Sequence, residues 1–353
     1  MRRLLLVVLT TLGLLLAPLT TVTASAAPEK DASAKDKSDD AVSAAAKTRI
    51  RAHIPRGRHR LGSRAPITGH VSGPRRIVKI QVRTQRGFIV LGKTRTNKRH
   101  KFRINAPTWW AATQKLRVFV PRHGRFAPQV SRVRVMNVPI GYRPRGNKAF
   151  GYLDTRATRW NPCRIITYRI NPRRAPRHGI KDIHRGIRKL SNATGLRFRY
   201  LGRTKELPVH KNKVHFRSDM VLGYGNARLV PQLRGGVIGI GGFTRGNTGA
   251  GFGITSGFVV FDAKARLRPG YAGGRATWGK VILHELAHSV GLAHVNNRKN
   301  LMYPAILRAG PSRYGRGDLR GLRAMGAKRG CLPRGGSRLE EKTFMDSDLR
   351  IGK

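Results

Sequence analysis

From residue 66 onward the chain places apolar side chains in short alternating runs. Val78, Ile80 and Val82 alternate with Lys79, Gln81 and Arg83, the period-two pattern of a strand with one buried face. Residues 88–91, Phe102 with Ile104, Leu116 with Val118 and Val120, and residues 130–135 continue the series, with Gly, Pro or polar turns between them. The pattern predicts a separate all-β domain over 65–138. Its outward positions, Lys79, Arg83, Lys93, Arg95, Arg103 and Arg117, would make that domain strongly cationic. Trp109 and Trp110 offer faces for stacking on a ligand, with a core role expected for at least one of them.

A Pro/Gly-rich linker is predicted at 139–150, and beyond it the period changes. Trp278, Val281, Ile282 and Leu286 then recur at helical spacing, with Thr277 placed as N-cap. The Gly-rich run at 235–242 fits neither nucleotide-binding glycine pattern and lacks a following Lys-Ser/Thr, so it is not a phosphate loop. Residues 27–64 are polar or basic without periodicity and are expected to be a disordered linker. The polar tail at 334–353 is expected to be disordered as well.

The amino terminus narrows the compartment. Met1, Arg2 and Arg3 precede an apolar run, and Ala24-Ser25-Ala26 supplies small residues at a cleavage position, so 1–26 reads as a secretory signal peptide. No later stretch is apolar enough to span a membrane. Export makes the only two cysteines, Cys163 and Cys331, a candidate disulfide. The chain is also extremely basic, with 72 Lys and Arg against 16 Asp and Glu and a formal charge of +56; no acid occurs between Asp40 and Asp154. Such a charge favours an anionic partner, cell-wall polymer or acidic polysaccharide among them, as much as it favours an arginine-rich background with no dedicated ligand. Specific nucleic-acid binding is disfavoured by export and by the absence of a recognisable reading module.

The chemistry concentrates at His284-Glu285-Leu286-Ala287-His288-Ser289-Val290-Gly291-Leu292-Ala293-His294. Two histidines four residues apart share one helix face and can hold one ion. Glu285, one position round, sits beside that ion as a candidate general base. Gly291 lets the chain leave the helix, and His294 can return as a third ligand. Three protein ligands with an open fourth position are the catalytic pattern of zinc, whereas structural sites are closed by four.

The extended motif resembles that of the metzincin metallopeptidases, and Asn300-Leu301-Met302-Tyr303-Pro304 resembles the Met-turn of their matrixin branch. The similarity runs from near Gly151 to Cys331, within an expected catalytic domain at 151–333; by it, residues 165–170 read as a first strand, 180–193 as a first helix, 256–262 as the strand before the zinc helix and 318–325 as the closing helix. It implies an α+β fold, a twisted mixed sheet with an active-site helix, and a zinc-dependent endopeptidase acting on proteins or peptides. By the same resemblance His284, His288 and His294 bind the metal, Glu285 is catalytic, Met302 forms the floor, and Pro304, Ala305 and Ile306 line a substrate pocket. By the same resemblance the run at 235–242 is an edge strand, the one along which an extended substrate pairs its backbone. The preceding β-domain resembles the immunoglobulin-like sandwiches of exported bacterial proteins.

Departures from the family are equally specific. Between Asp154 and Asp318 the only acids are Asp182, Glu206, Asp219, Asp262 and Glu285, which is too few for the calcium loops common in matrixins. His210 and His215 near Asp219 are expected to be ordinary surface or strand residues. No cysteine precedes Cys163, so a propeptide cysteine cannot block the metal. A non-enzymatic cationic wall- or polyanion-binding protein that keeps the fold is the competing reading.

Overall fold

The computed structural model describes residues 46–249, 251–333 and 341–352. The expected signal peptide and residues 27–45 of the expected linker lie outside them. The rest of that linker does not behave as read from the sequence. Residues 50–53 form β1 (Ile50–His53), and β2 (Gly57–Arg58) follows. Next come β3 (Pro66–Val71), β4 (Ile77–Thr84), β5 (Gly87–Arg95), β6 (Lys101–Asn105), β7 (Thr113–Val120), β8 (Gln129–Val130) and β9 (Arg134–Asn137). β1 joins the sheet β1-β3-β6, and β2 joins β2-β9-β7-β4-β5, with β8 on β7. The missed signal was Ile50, Ala52 and Ile54, a period-two set hidden among Arg, Lys and His; Ile54 is buried, and the other two pack on the same core.

The two sheets share one apolar cluster that includes Ile67, Val78, Ile80, Val82, Leu116, Val118 and Val120. The alternating positions thus point inward as the pattern required. Of the expected outward cations, Arg83, Lys93, Arg95 and Arg103 are exposed. Lys79 and Arg117 are half-buried over the rings of Phe119 and Phe88, the Arg117 guanidinium carbon lying 3.7 Å from its ring centroid. Trp110 is buried against the second half of the chain, where its indole faces Gly195. Gly195 takes φ 73°, and a Cβ there would lie 2.6 Å from that ring, so only glycine serves. This Trp is a packing residue.

The second half contains β10 (Gly151–Tyr152), β11 (Ile165–Asn171), α1 (Gly179–Thr194), β12 (Arg197–Arg203), β13 (Met220–Gly225), β14 (Gly239–Asn247), β15 (Phe252–Asp262) and α2 (Trp278–His288). It closes with β16 (Leu292–Ala293), β17 (Ala305–Leu307), α3 (Arg316–Met325), β18 (Lys342–Asp346) and β19 (Arg350–Gly352). The main sheet runs β12-β11-β13-β15-β14-β18, with parallel pairing as far as β15 and antiparallel pairing across β14 and β18. Ile183, Ile187 and Leu190 give α1 a buried stripe at helical spacing, and Gly195 caps it in the left-handed conformation. Gly186 lets α1 approach α2 closely: a Cβ there would meet Ile282 at 2.4 Å.

Two expectations fail here for one reason. The tail was read as disordered; 334–340 and 353 lie outside the described residues, but in the rest β18 pairs with β14 and β19 with β17. The glycine-rich strand was read as an edge, yet β18 covers it. The partners lie about 100 residues apart for β14 with β18 and 45 residues apart for β17 with β19, so no local pattern reveals the pairing.

Cys163 and Cys331 form a disulfide across 168 residues of sequence. The chain-entropy model allows such a loop about 5 kcal/mol as a ceiling. Replacing both cysteines by alanine is expected to lower the urea midpoint of the full chain without changing its secondary structure, as followed by far-ultraviolet circular dichroism. An unchanged midpoint would show that the unfolded chain gains nothing from the cut. No helix among the described residues is long and apolar enough to cross a membrane.

Candidate metal centre

α2 is buried at all eleven positions, wedged between the sheet and α1. Thr277 occupies its N-cap, as expected, but makes no capping hydrogen bond, and its hydroxyl is buried without a partner. On the sheet side the approach depends on glycine. A Cβ on Gly241 would lie 2.2 Å from the Glu285 carbonyl oxygen, and one on Gly239 would lie 2.6 Å from Glu285 Oε1. The glycine-rich strand is therefore what allows the helix to sit against β14.

The helix delivers His284 and His288, and the turn after it delivers His294. Gly291 takes φ 106°, a conformation closed to most residues, and β16 pairs with β10 to fix the returning chain. Nε2 of His284 then lies 2.9 Å from Nε2 of His294 and 3.0 Å from Nε2 of His288. Orientation comes from carbonyls. His284 Nδ1 donates to Leu301 O at 2.8 Å, and His288 Nδ1 donates to Leu292 O at 2.6 Å. Both neutral rings thereby turn an unprotonated Nε2 toward the other, an arrangement without a bridging proton that a cation satisfies.

Burial pushes the His284 imidazole well below its ordinary value, with the neighbouring His288 and His294 adding to the effect; burial brings His288 down to about 4. These rings stay neutral and able to bind metal well into the acid range. Glu285 shows the complementary signature. Both carboxylate oxygens are buried without a partner, and burial, with the charge of Asp346, pushes its carboxyl well above the usual range. A buried carboxylate with no donor is costly unless a cation lies beside it. The donor set and the orphaned carboxylate together fit a zinc ion held by three histidines.

The Leu301-Met302 turn is built into this arrangement. Asp318, at the start of α3, accepts hydrogen bonds from the amides of Leu301 (2.8 Å), Met302 (3.3 Å) and Gly315 (2.6 Å). Leu301 thus has its amide held by Asp318 while its carbonyl holds His284. Met302 is buried in the core, and its carbonyl accepts from the Val295 amide directly after His294. Of the expected pocket wall, Ile306 is buried while Pro304 and Ala305 are half-buried. Lys280 holds that wall from α2, its Nζ donating to Leu307 O (3.0 Å) and Arg308 O (2.9 Å).

Asp318, Lys280 and Asp346 were not singled out from the sequence. Asp346 Oδ2 lies 3.0 Å from His294 Nδ1 and 4.0 Å from His288 Nε2. One sequence signal pointed to it: the tail, 334–353, carries Glu340, Glu341, Asp346 and Asp348, a quarter of the 16 acids in a chain nearly devoid of them. The histidines read as ordinary have local partners, His210 Nδ1 bonding Leu229 O and His215 approaching Glu341. Asp219 accepts from the Thr167 amide and hydroxyl.

Three converging imidazoles form a group that could hold a metal ion, with a buried carboxylate beside it. The matrixin family model matches residues 243–325, a stretch that contains all three histidines, Glu285 and Met302. The match and the histidine group together support a zinc metalloprotease domain. Among curated proteins none matches the chain.

Proposed function

We propose that this chain is an exported zinc metalloendopeptidase whose catalytic region, 151–333, follows an immunoglobulin-like β-domain. The observation that carries the reading is the juxtaposition of three mutually facing Nε2 atoms with a buried, unpartnered Glu285 carboxylate. When bound, zinc supplies Lewis-acid polarisation of the scissile carbonyl and lowers the pKa of water. The protein supplies the rest. His284, His288 and His294 hold the ion. Glu285 takes the proton of the attacking water and returns it to the leaving amine. Met302 closes the floor, and Ile306 offers an apolar wall to the side chain following the cleaved bond. The exposed Arg83, Lys93, Arg95 and Arg103 extend the proposal to retention on anionic surface polymers, which added salt should weaken steeply.

A peptide-library digest by the purified exported chain, with and without a zinc chelator, tests the reading. Chelator-sensitive cleavage restored by added zinc is the expected outcome. Polyanion binding without any such cleavage would favour the non-enzymatic alternative.

A further inference from the structure

The groove beside β14 already holds a peptide, and it belongs to this chain. Residues 342–346 run antiparallel along β14, with Lys342 opposite Arg245, Phe344 opposite Phe243 and Asp346 opposite Gly241. The rings of Phe344 and Phe243 stack with centroids 5.3 Å apart, and the Arg245 guanidinium lies 5.1 Å from the Phe344 centroid. Arg245 is itself fixed by a 2.9 Å ion pair with buried Asp154. Asp346 then sits on the histidine group through His294, after which the chain turns, the Asp348 amide donating to Asp346 Oδ1. Leu349 is 1% exposed within the apolar cluster that contains Ile238 and Ile306, and its carbonyl accepts from the Ile238 amide. β19 finishes the crossing by pairing with β17, Ile351 opposite Ile306.

Each feature that an extended substrate would need is therefore taken: the free edge of the sheet, the space at the histidines, and the apolar wall after the turn. We propose that residues 342–352 are an intramolecular pseudosubstrate that occludes the cleft, with Asp346 seated on the third histidine. The inference rests on the peptidase reading above. Because the segment is covalently attached, its effective concentration is of millimolar order, and a free peptide must compete with that. The device needs no propeptide cysteine, and this chain has none before Cys163.

The test uses the full chain and a full-length variant, Phe344→Ala with Asp346→Ala. Hydrogen exchange of the β14 amides in the metal-free protein reports the seat without any catalysis. Cleavage of a fluorogenic peptide by the zinc-loaded protein reports access. In the variant, exchange at β14 and cleavage are both expected to rise at least tenfold, and a synthetic peptide of residues 341–352 should reverse both. Equal exchange and equal cleavage in the two proteins overturn the inference, as does faster exchange when both proteins cleave measurably and at the same rate. If exchange rises and neither protein cleaves, the seat stands and the peptidase reading fails. Slow exchange at β11 and β13 certifies the variant's fold; should that be lost, Asp346→Ala alone is measured instead.

Discussion

Glu285→Gln is expected to abolish proteolysis while making the metal-free protein more stable. Gln keeps the shape and cannot take a proton from water, so kcat/KM should fall by about 10³, the usual scale of a lost general base. Zinc affinity should persist, because the three imidazoles are untouched. The stability effect follows from burial. The Glu285 carboxyl is pushed well above its ordinary value, so its contribution to stability is present below the unfolded value and lost as pH rises. Buried His284 and His288 act in the opposite direction. Their folded values are depressed, so their contribution is present above about 6.5 and is lost as pH falls, for His288 toward about 4. Both proteins share the histidine term, so the difference between their thermal midpoints isolates Glu285. The gap should be widest at neutral pH and close as pH falls toward the ordinary carboxyl range. Cleavage by the variant at the wild-type rate would remove Glu285 from the mechanism.

The contrast between what the sequence revealed and what it hid follows the range of the interactions. Helix spacing at Trp278, Val281, Ile282 and Leu286 and alternation at Val78, Ile80 and Val82 are local, and each matched its element. The histidine motif was legible because its geometry is set within eleven residues by one helix and one glycine turn. Asp318 was placed in the right helix, but its role depends on amides 16 and 17 residues earlier. Lys280 received no role from the sequence, because the two carbonyls that let it be buried belong to the turn after Ile306. The tail misled most, since Phe344, Leu349 and Ile351 are too sparse to form a pattern and acquire meaning only against β14 and β17.

Asp318→Asn is expected to weaken zinc binding without touching a ligand. One carboxylate holds three backbone amides, two of them in the turn whose Leu301 carbonyl orients His284. Burial pushes that carboxyl up and the three amides pull it back, the sign of a group bound tightly in place. Asparagine can accept at one end only. Its amide nitrogen must face a backbone N–H, so at least one buried donor is orphaned at about 1–3 kcal/mol. The turn should then relax, leaving His284 free to rotate away from His288 and His294, and zinc affinity should drop about 10–100-fold, the range seen when a partner behind a ligand is removed. Alanine, which orphans all three amides, should cost more stability than asparagine. Competition against a chelating dye measures the affinity, and thermal unfolding of the metal-free proteins separates it from a general loss of fold. A folded Asp318→Asn protein with wild-type zinc affinity would mean that His284 is held by the packing of α2 alone, and that the turn below the histidines does not position the ligand set.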